Sequence, residues 1–251
     1  MTQVIWTQSY AVNTIVVNAQ KRLGLVGLLG ILQDVAWAHA DHLGHGFEAT
    51  MDEGAIWILS RQKLVVADWP VWRDQLTVRT WVRPIKGPLV HRDYEILVGD
   101  RKVGECAAAW LTLDVRTRRP VRPALAGAPL RCRQDDALAV TPEKIALRQD
   151  LAEAARFRVR NSDLDMNGHV NNTRYAQWIL DSASPEAYRA RRVVRYEVNF
   201  LTEVQVGDSV AIDSDPLPAP SNDETSLHFQ GRRLSDGAQA FAAVLGVAEA
   251  S

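Results

Sequence analysis

The chain has 251 residues, 47% of them apolar and 24% charged, with 29 basic and 30 acidic side chains for a net charge of -1. At roughly 150 residues per domain this makes one large domain or two small ones, with enough apolar material for a substantial core. The even charge excludes a nucleic-acid binder held by bulk positive charge, and the composition excludes a chain that stays disordered.

In chain order, Met1 to Trp6 lacks the basic start of a secretory leader, and the longest apolar run, Leu23 to Leu32, is about half of the roughly 20 residues a membrane span needs. No membrane contact is expected. That run continues at helical spacing through Val35, Ala36 and His39, which predicts a helix enclosed by protein. Its glycines, Gly24, Gly27 and Gly30, serve either close packing or the depth of a binding tunnel. Strand-like runs follow at 55–66, 75–83, 89–98 and 103–114, separated by Trp69-Pro70, Lys86-Gly87-Pro88 and Gly99-Asp100. Residues 126–155 read as a connector crossing the surface between a unit at 1–125 and a second at 156–251. The second unit repeats the order: a short strand at 156–160, a polar turn, a helix at about 171–182, then strands at 192–201, 208–213, 225–231 and 238–247. The stretch from Trp72 to Val78 echoes the one from Val206 to Ile212. Helix-then-strands occurring twice predicts an internal duplication of two α+β units.

Cys106 and Cys132 form no CxxC pair, which excludes a disulfide framework and a thiolate zinc site, and fits a cytoplasmic protein. His39, His42 and His45 fall at i, i+3 and i+6, which spreads them around a helix and argues against a shared metal; His39, on the apolar stripe, reads as a core residue. There is no glycine-rich phosphate loop and no GxSxG elbow.

The informative segment is Asn161-Ser162-Asp163-Leu164-Asp165-Met166-Asn167-Gly168-His169-Val170-Asn171-Asn172. By composition it is a turn capping the helix that follows, through Asn171 or Asn172. The functional reading rests on Asp165, Asn167 and His169 falling at i, i+2 and i+4. In an extended segment these would point the same way, placing a carboxylate, an amide and an imidazole beside a helix start whose free N–H groups suit an oxyanion. Asn13 to Arg22, the corresponding place in the first half, has no such set.

The run from Asp163 to Asp181 closely resembles the signature of acyl-acyl-carrier-protein thioesterases. Leu32-Gln33-Asp34, His39-Ala40, Trp57-Ile58-Leu59-Ser60-Arg61, Trp72-Arg73-Asp74 and Thr117-Arg118-Arg119-Pro120-Val121-Arg122 agree in order, so the resemblance spans about residues 3 to 247. It implies a tandem (double) hotdog of class α+β, two antiparallel sheets each wrapped around a central helix. It implies hydrolysis of the thioester between a fatty acyl chain and the phosphopantetheine arm of acyl carrier protein, without metal or diffusible cofactor. The family's catalytic aspartate, asparagine and histidine fall on Asp165, Asn167 and His169, and its glutamate on Glu203 of Phe200-Leu201-Thr202-Glu203-Val204. Plant members carry a cysteine after that glutamate; here it is Val204, which favours attack by water over a thiol nucleophile. Val194, Tyr196, Val198 and Phe200 alternate so that Glu203 would face away from the helix, unless a bulge near Leu201-Thr202 returns it.

The resemblance also implies an acidic carrier-protein partner. Two arginine clusters are candidates to dock it or are simply solvated faces: Arg116, Arg118, Arg119, Arg122, Arg131 and Arg133, and Arg189, Arg191, Arg192 and Arg195. Hotdog proteins pair, so a homodimer is open, although tandem units can satisfy that pairing internally. An acyl-coenzyme A hydrolase and a non-catalytic acyl-binding module are the alternatives.

Overall fold

The computed structural model describes residues 4–121, 131–133, 138–217, 221 and 223–250. The chain divides into two compact units, Met1–Pro142 and Glu143–Ser251. The first contains strand β1 (Trp6–Ala11), helices α1 (Leu25–His42) and α2 (Phe47–Asp52), strands β2 (Ala55–Val66), β3 (Gln75–Val82), β4 (Val90–Val98) and β5 (Arg101–Asp114), and the short β6 (Pro120–Val121). Its sheet has the order β1-β3-β4-β5-β2, antiparallel throughout, with β6 paired to β5. Helix α1 starts at Gly24 without a side-chain cap and buries Leu25, Leu28, Leu29, Leu32, Val35 and His39. Each buried leucine contributes about 1.5–3 kcal/mol, which offsets the roughly 1 kcal/mol that a glycine costs inside a helix.

The second unit contains β7 (Ala152–Arg158), helices α3 (Asn172–Asp181) and α4 (Pro185–Arg189), and strands β8 (Arg191–Phe200), β9 (Ser209–Ser214), β10 (Thr225–Arg233) and β11 (Gln239–Glu249). Its order is β7-β9-β10-β11-β8, again antiparallel. Tyr175 and Trp178 of α3 pack on Phe157 of β7, Phe200 of β8 and Phe241 of β11, with ring centroids 5.2–6.1 Å apart. The α+β expectation therefore holds in each unit.

The duplication extends to individual hydrogen bonds. Both units have a strand, a helix and four strands, ordered first-third-fourth-fifth-second. The echo between residues 72–78 and 206–212 is one turn used twice. Arg73 and Gly207 both adopt positive φ, +80° and +90°. The Asp74 carboxylate accepts from the Val71 N–H as the Asp208 carboxylate accepts from the Gln205 N–H. Arg73 N–H donates to the Val12 carbonyl and Gly207 N–H to that of Val159. Gly207 takes this conformation without strain, whereas Arg73 is held in it by its neighbours.

The connector is less of a crossing than expected. Its residues 126–130 and 134–137 lie outside the described residues, as does Arg122. Within the first unit, Arg83 donates to the carbonyls of Leu138 and Val140, and the Leu138 N–H donates to Asp93. Within the second, the N–H groups of Glu143, Ile145 and Arg148 donate to the side chains of Glu197, Asn199 and Gln230, while the Asn199 and Gln230 amides donate back to the carbonyls of Glu143 and Arg148. Residues 143–148 are thus part of the second unit. The buried polar side chains that hold them give no hydrophobic pattern in the held segment, which is why it reads as linker.

Candidate active site

The polar segment before α3 is a turn, not an extended run. Leu164 bridges Val170; the Asp165 N–H donates to the His169 carbonyl (2.8 Å) and the Gly168 N–H to the Asp165 carbonyl (3.0 Å). One Asp165 carboxylate oxygen accepts from the N–H groups of Asn167 (2.8 Å) and His169 (3.2 Å). Strand-like alternation of Asp165, Asn167 and His169 therefore does not describe this segment. The short carboxylate competes for backbone N–H groups and folds the chain around itself, and Gly168 supplies the φ of +73° that closes it. Asp165 acts on His169 through the backbone. The Asn167 side-chain amide makes no hydrogen bond among the described residues.

Glu203 reaches this turn by way of a bulge. Strand β8 ends at Phe200, and the N–H groups of Leu201 and Thr202 both donate to the Ala240 carbonyl. Two residues opposite one is the arrangement that returns the following side chain to the helix side. Glu203 Oε1 lies 3.0 Å from His169 Nε2, with both side chains about a third exposed or less (35% and 26%). Val204, next in the chain, is buried.

Two further residues belong to this cluster. Tyr175 is buried under the turn; burial, and then the charges of Glu203 and Asp165, hold its phenol above the ordinary range. Arg233, at the end of β10, donates through Nη1 to the Glu203 carbonyl (2.6 Å) while its other nitrogens grip Asp236. The Asp236 bond, and then the nearby charges of Asp236, Asp208 and Glu203, raise the guanidinium above its usual value. Tyr175 falls within the signature run at 163–181, which gives it no role of its own. Arg233 is thirty positions from Glu203, and only strand pairing brings them together.

The helix start is more occupied than a vacant cradle. Asn171 caps α3, its side chain accepting from the Thr173 N–H; the Arg174 N–H donates to the Asn171 carbonyl and the Asn171 N–H to that of Asp163. The Asn172 N–H has no partner among the described residues.

The first unit repeats the turn with other side chains. Leu23 bridges Val17; the Asn18 side chain accepts from the N–H groups of Gln20 and Arg22, as Asp165 does from those of Asn167 and His169. Lys21, at φ +57°, stands where Gly168 does. The bulge recurs too, with the N–H groups of Ala67 and Asp68 sharing the Val103 carbonyl, and Trp69 then occupies the place of Glu203. The scaffold is present twice and the ionisable set once.

The first unit holds instead an apolar cleft of about 540 Å³, its open mouth included, lined by Trp37, Trp57, Trp110, Ala36, Ala40 and Arg92 among others. Trp57 Nε1 donates to the His45 carbonyl (3.0 Å), which fixes the ring. The expected walls, α1 and the strand at Trp57, are there, but Gly24, Gly27 and Gly30 do not line the cleft. His39 is a core residue, with Arg92 Nη1 2.7 Å from its Nδ1. Among the described residues no group of three or more His, Cys, Asp or Glu is placed to hold a metal ion, and no helix is long and apolar enough to cross a membrane.

Residues 3–124 match the family model of the acyl-ACP thioesterase N-terminal domain, and residues 147–244 that of its C-terminal domain, ACP being acyl carrier protein. The chain belongs to the acyl-ACP thioesterase family. Relatives in this thioesterase family include a chloroplastic dodecanoyl-[acyl-carrier-protein] hydrolase of Cinnamomum camphora, 27% identical over 82% of this chain and 58% of its own length. A chloroplastic palmitoyl-acyl carrier protein thioesterase of Gossypium hirsutum is 28% identical over 94% of this chain and 62% of its own. The chain thus spans about three fifths of the length of these plant relatives. Solved structures share the fold: an acyl-ACP thioesterase from Bacteroides thetaiotaomicron has a TM-score of 0.85 at 24% identity, covering 97% of both chains. A 12:0-ACP thioesterase from Umbellularia californica has a TM-score of 0.86 at 17% identity, covering 100% of this chain and 96% of its own. These likenesses agree with the tandem hotdog architecture.

Proposed function

We propose that this protein hydrolyses the thioester of fatty acyl-acyl carrier protein, releasing a free fatty acid and the carrier. The observation that carries this reading is the 3.0 Å approach of Glu203 to His169 beside the Asp165 turn, in a chain of this family. Glu203, with His169 Nε2 on one carboxylate oxygen, takes a proton from the water that attacks the thioester carbonyl. Asp165 keeps His169 in place by holding its backbone N–H. The Asn167 amide, otherwise unengaged, orients the water or the carbonyl. The Asn172 N–H at the head of α3 receives the developing oxyanion, with the positive end of the helix behind it. The tryptophan-lined cleft of the first unit is apolar enough to take an aliphatic chain. Cys106 and Cys132 are both free thiols, which accords with a reducing compartment, the cytoplasm.

The test is a panel of acyl-ACP thioesters graded by chain length, with free fatty acid as the readout and acyl-coenzyme A thioesters of the same lengths alongside. Faster turnover on the carrier-protein thioesters is expected; equal or faster turnover on coenzyme A thioesters overturns the choice of carrier. His169→Ala, Glu203→Gln and Asp165→Ala should each lower kcat about 10²-fold or more while circular dichroism stays unchanged. Near-normal turnover in all three would remove the site assignment.

A further inference from the structure

Glu203 sits on a stretch with no ladder of its own. Strand β8 stops at Phe200, β9 begins at Ser209, and the chain between them is irregular. The backbone carbonyl of Glu203 is held by a side chain, Arg233 Nη1 at 2.6 Å. That guanidinium is itself fixed by two bonds to Asp236, in a turn closed by Arg233 N–H to Ala238, Gly237 N–H to Arg233 and Ala238 N–H to Asp236. A planar fork held on one side by a carboxylate gives a rigid donor on the other.

The first unit is an internal control. Its bulge is the same: Ala67 and Asp68 share the Val103 carbonyl as Leu201 and Thr202 share that of Ala240. Register locates the counterpart of Arg233: Arg233 lies opposite Val210 in β9, and Val98 lies opposite Leu76, the matching residue of β3. Where the first unit has Trp69 for Glu203, it has Val98 for Arg233. The bulge therefore forms without the arginine, and the arginine accompanies the glutamate.

We propose that Arg233 is a positioning residue for Glu203, the Asp236-anchored guanidinium fixing the backbone from which the carboxylate reaches His169. This rests on the reading of Glu203 as the catalytic base. Removing the guanidinium frees the Glu203 main chain to move, so the effect falls on the chemical step and not on acyl binding.

The experiment measures kcat and KM on an acyl-ACP thioester for the full chain carrying Arg233→Met, Arg233→Lys, Glu203→Gln and the double variant Arg233→Met/Glu203→Gln. Arg233→Met should lower kcat about tenfold with KM within twofold, and Arg233→Lys should regain part of that loss. In the Glu203→Gln background, Arg233→Met should cost nothing further, because its action passes through that carboxylate. A residue that only stabilises the β10–β11 turn would cost the same factor in both backgrounds. Equal losses in both backgrounds, or kcat within twofold of the unmodified protein for Arg233→Met, would overturn the assignment. Normal turnover of Glu203→Gln alone would instead overturn the reading of the base, which the single variant reports separately.

Discussion

Val204, buried directly after Glu203, leaves no thiol beside the carboxylate–imidazole pair. The two cysteines both belong to the first unit. Burial pushes the fully enclosed Cys106 thiol far up, and raises that of the half-buried Cys132 as well. Cys132 packs on Val82 and Val90 with Trp57 and Trp110, the walls of the cleft. Alkylation with N-ethylmaleimide should therefore leave kcat unchanged, with labelling confined to Cys132 by mass spectrometry and any effect appearing in KM. Loss of kcat in proportion to labelling would put a thiol into the chemistry. Asp165, His169 and Glu203 were legible in the sequence because a dense polar motif and a short match after Phe200 mark them. How Asp165 works was not, because an aspartate that folds a turn around itself has the same spacing as one that projects from a strand. Arg233 was invisible for another reason: its contact with Glu203 depends on β8, β9, β10 and β11 all being in register.

At the scale of elements, most strands were readable because Val, Ile, Leu and Trp cluster between Gly/Pro breakers. The exceptions are the informative cases. Strand β1, with a half-buried, half-exposed alternation over Trp-Thr-Gln-Ser-Tyr-Ala, is an edge too polar to signal itself. Helices α2 and α4 are only six and five residues long, too short for a helical period to show. Of the three glycines of the apolar run, Gly24 is the N-cap of α1, and Gly27 and Gly30 inside it differ in role. A Cβ on Gly27 would lie 2.7 Å from the backbone carbonyl oxygen of Val16, whereas one on Gly30 meets nothing within 4 Å. Gly30→Ala should stabilise the protein by about 1 kcal/mol, the helix-propensity difference. Gly27→Ala should destabilise it by about 1–3 kcal/mol, since backbone has to move. Urea unfolding of the two variants decides this, and equal shifts of the same sign would refute the close-approach account.

Over the whole molecule, charge is balanced but unevenly spent. Arg189 pairs with Glu186, and Arg195 with Glu224, so much of the second arginine cluster is internally neutralised. Arg116, Arg118 and Arg119 are exposed on a turn that the Asp114 carboxylate fixes by accepting from the N–H groups of Arg116 and Thr117. Under the proposed function, this turn is the face on which docking of an acidic carrier protein is to be tested. The combined variant Arg116→Glu, Arg118→Glu, Arg119→Glu should raise KM for acyl-ACP about tenfold at low ionic strength and much less in 1 M salt, where screening falls to about 3 Å. A KM within twofold of the unmodified protein at low salt would reject that face.

The segment at 143–148 also sets where the second unit begins. Glu197, Asn199 and Gln230 are buried and spend their polar groups on its backbone. A polypeptide cut to begin at residue 156 would strip those partners away, at about 1–3 kcal/mol for each group left dry and unmatched. The second unit therefore begins inside what looks like spacer, and a separately produced form of it has to start at residue 143 to keep those bonds.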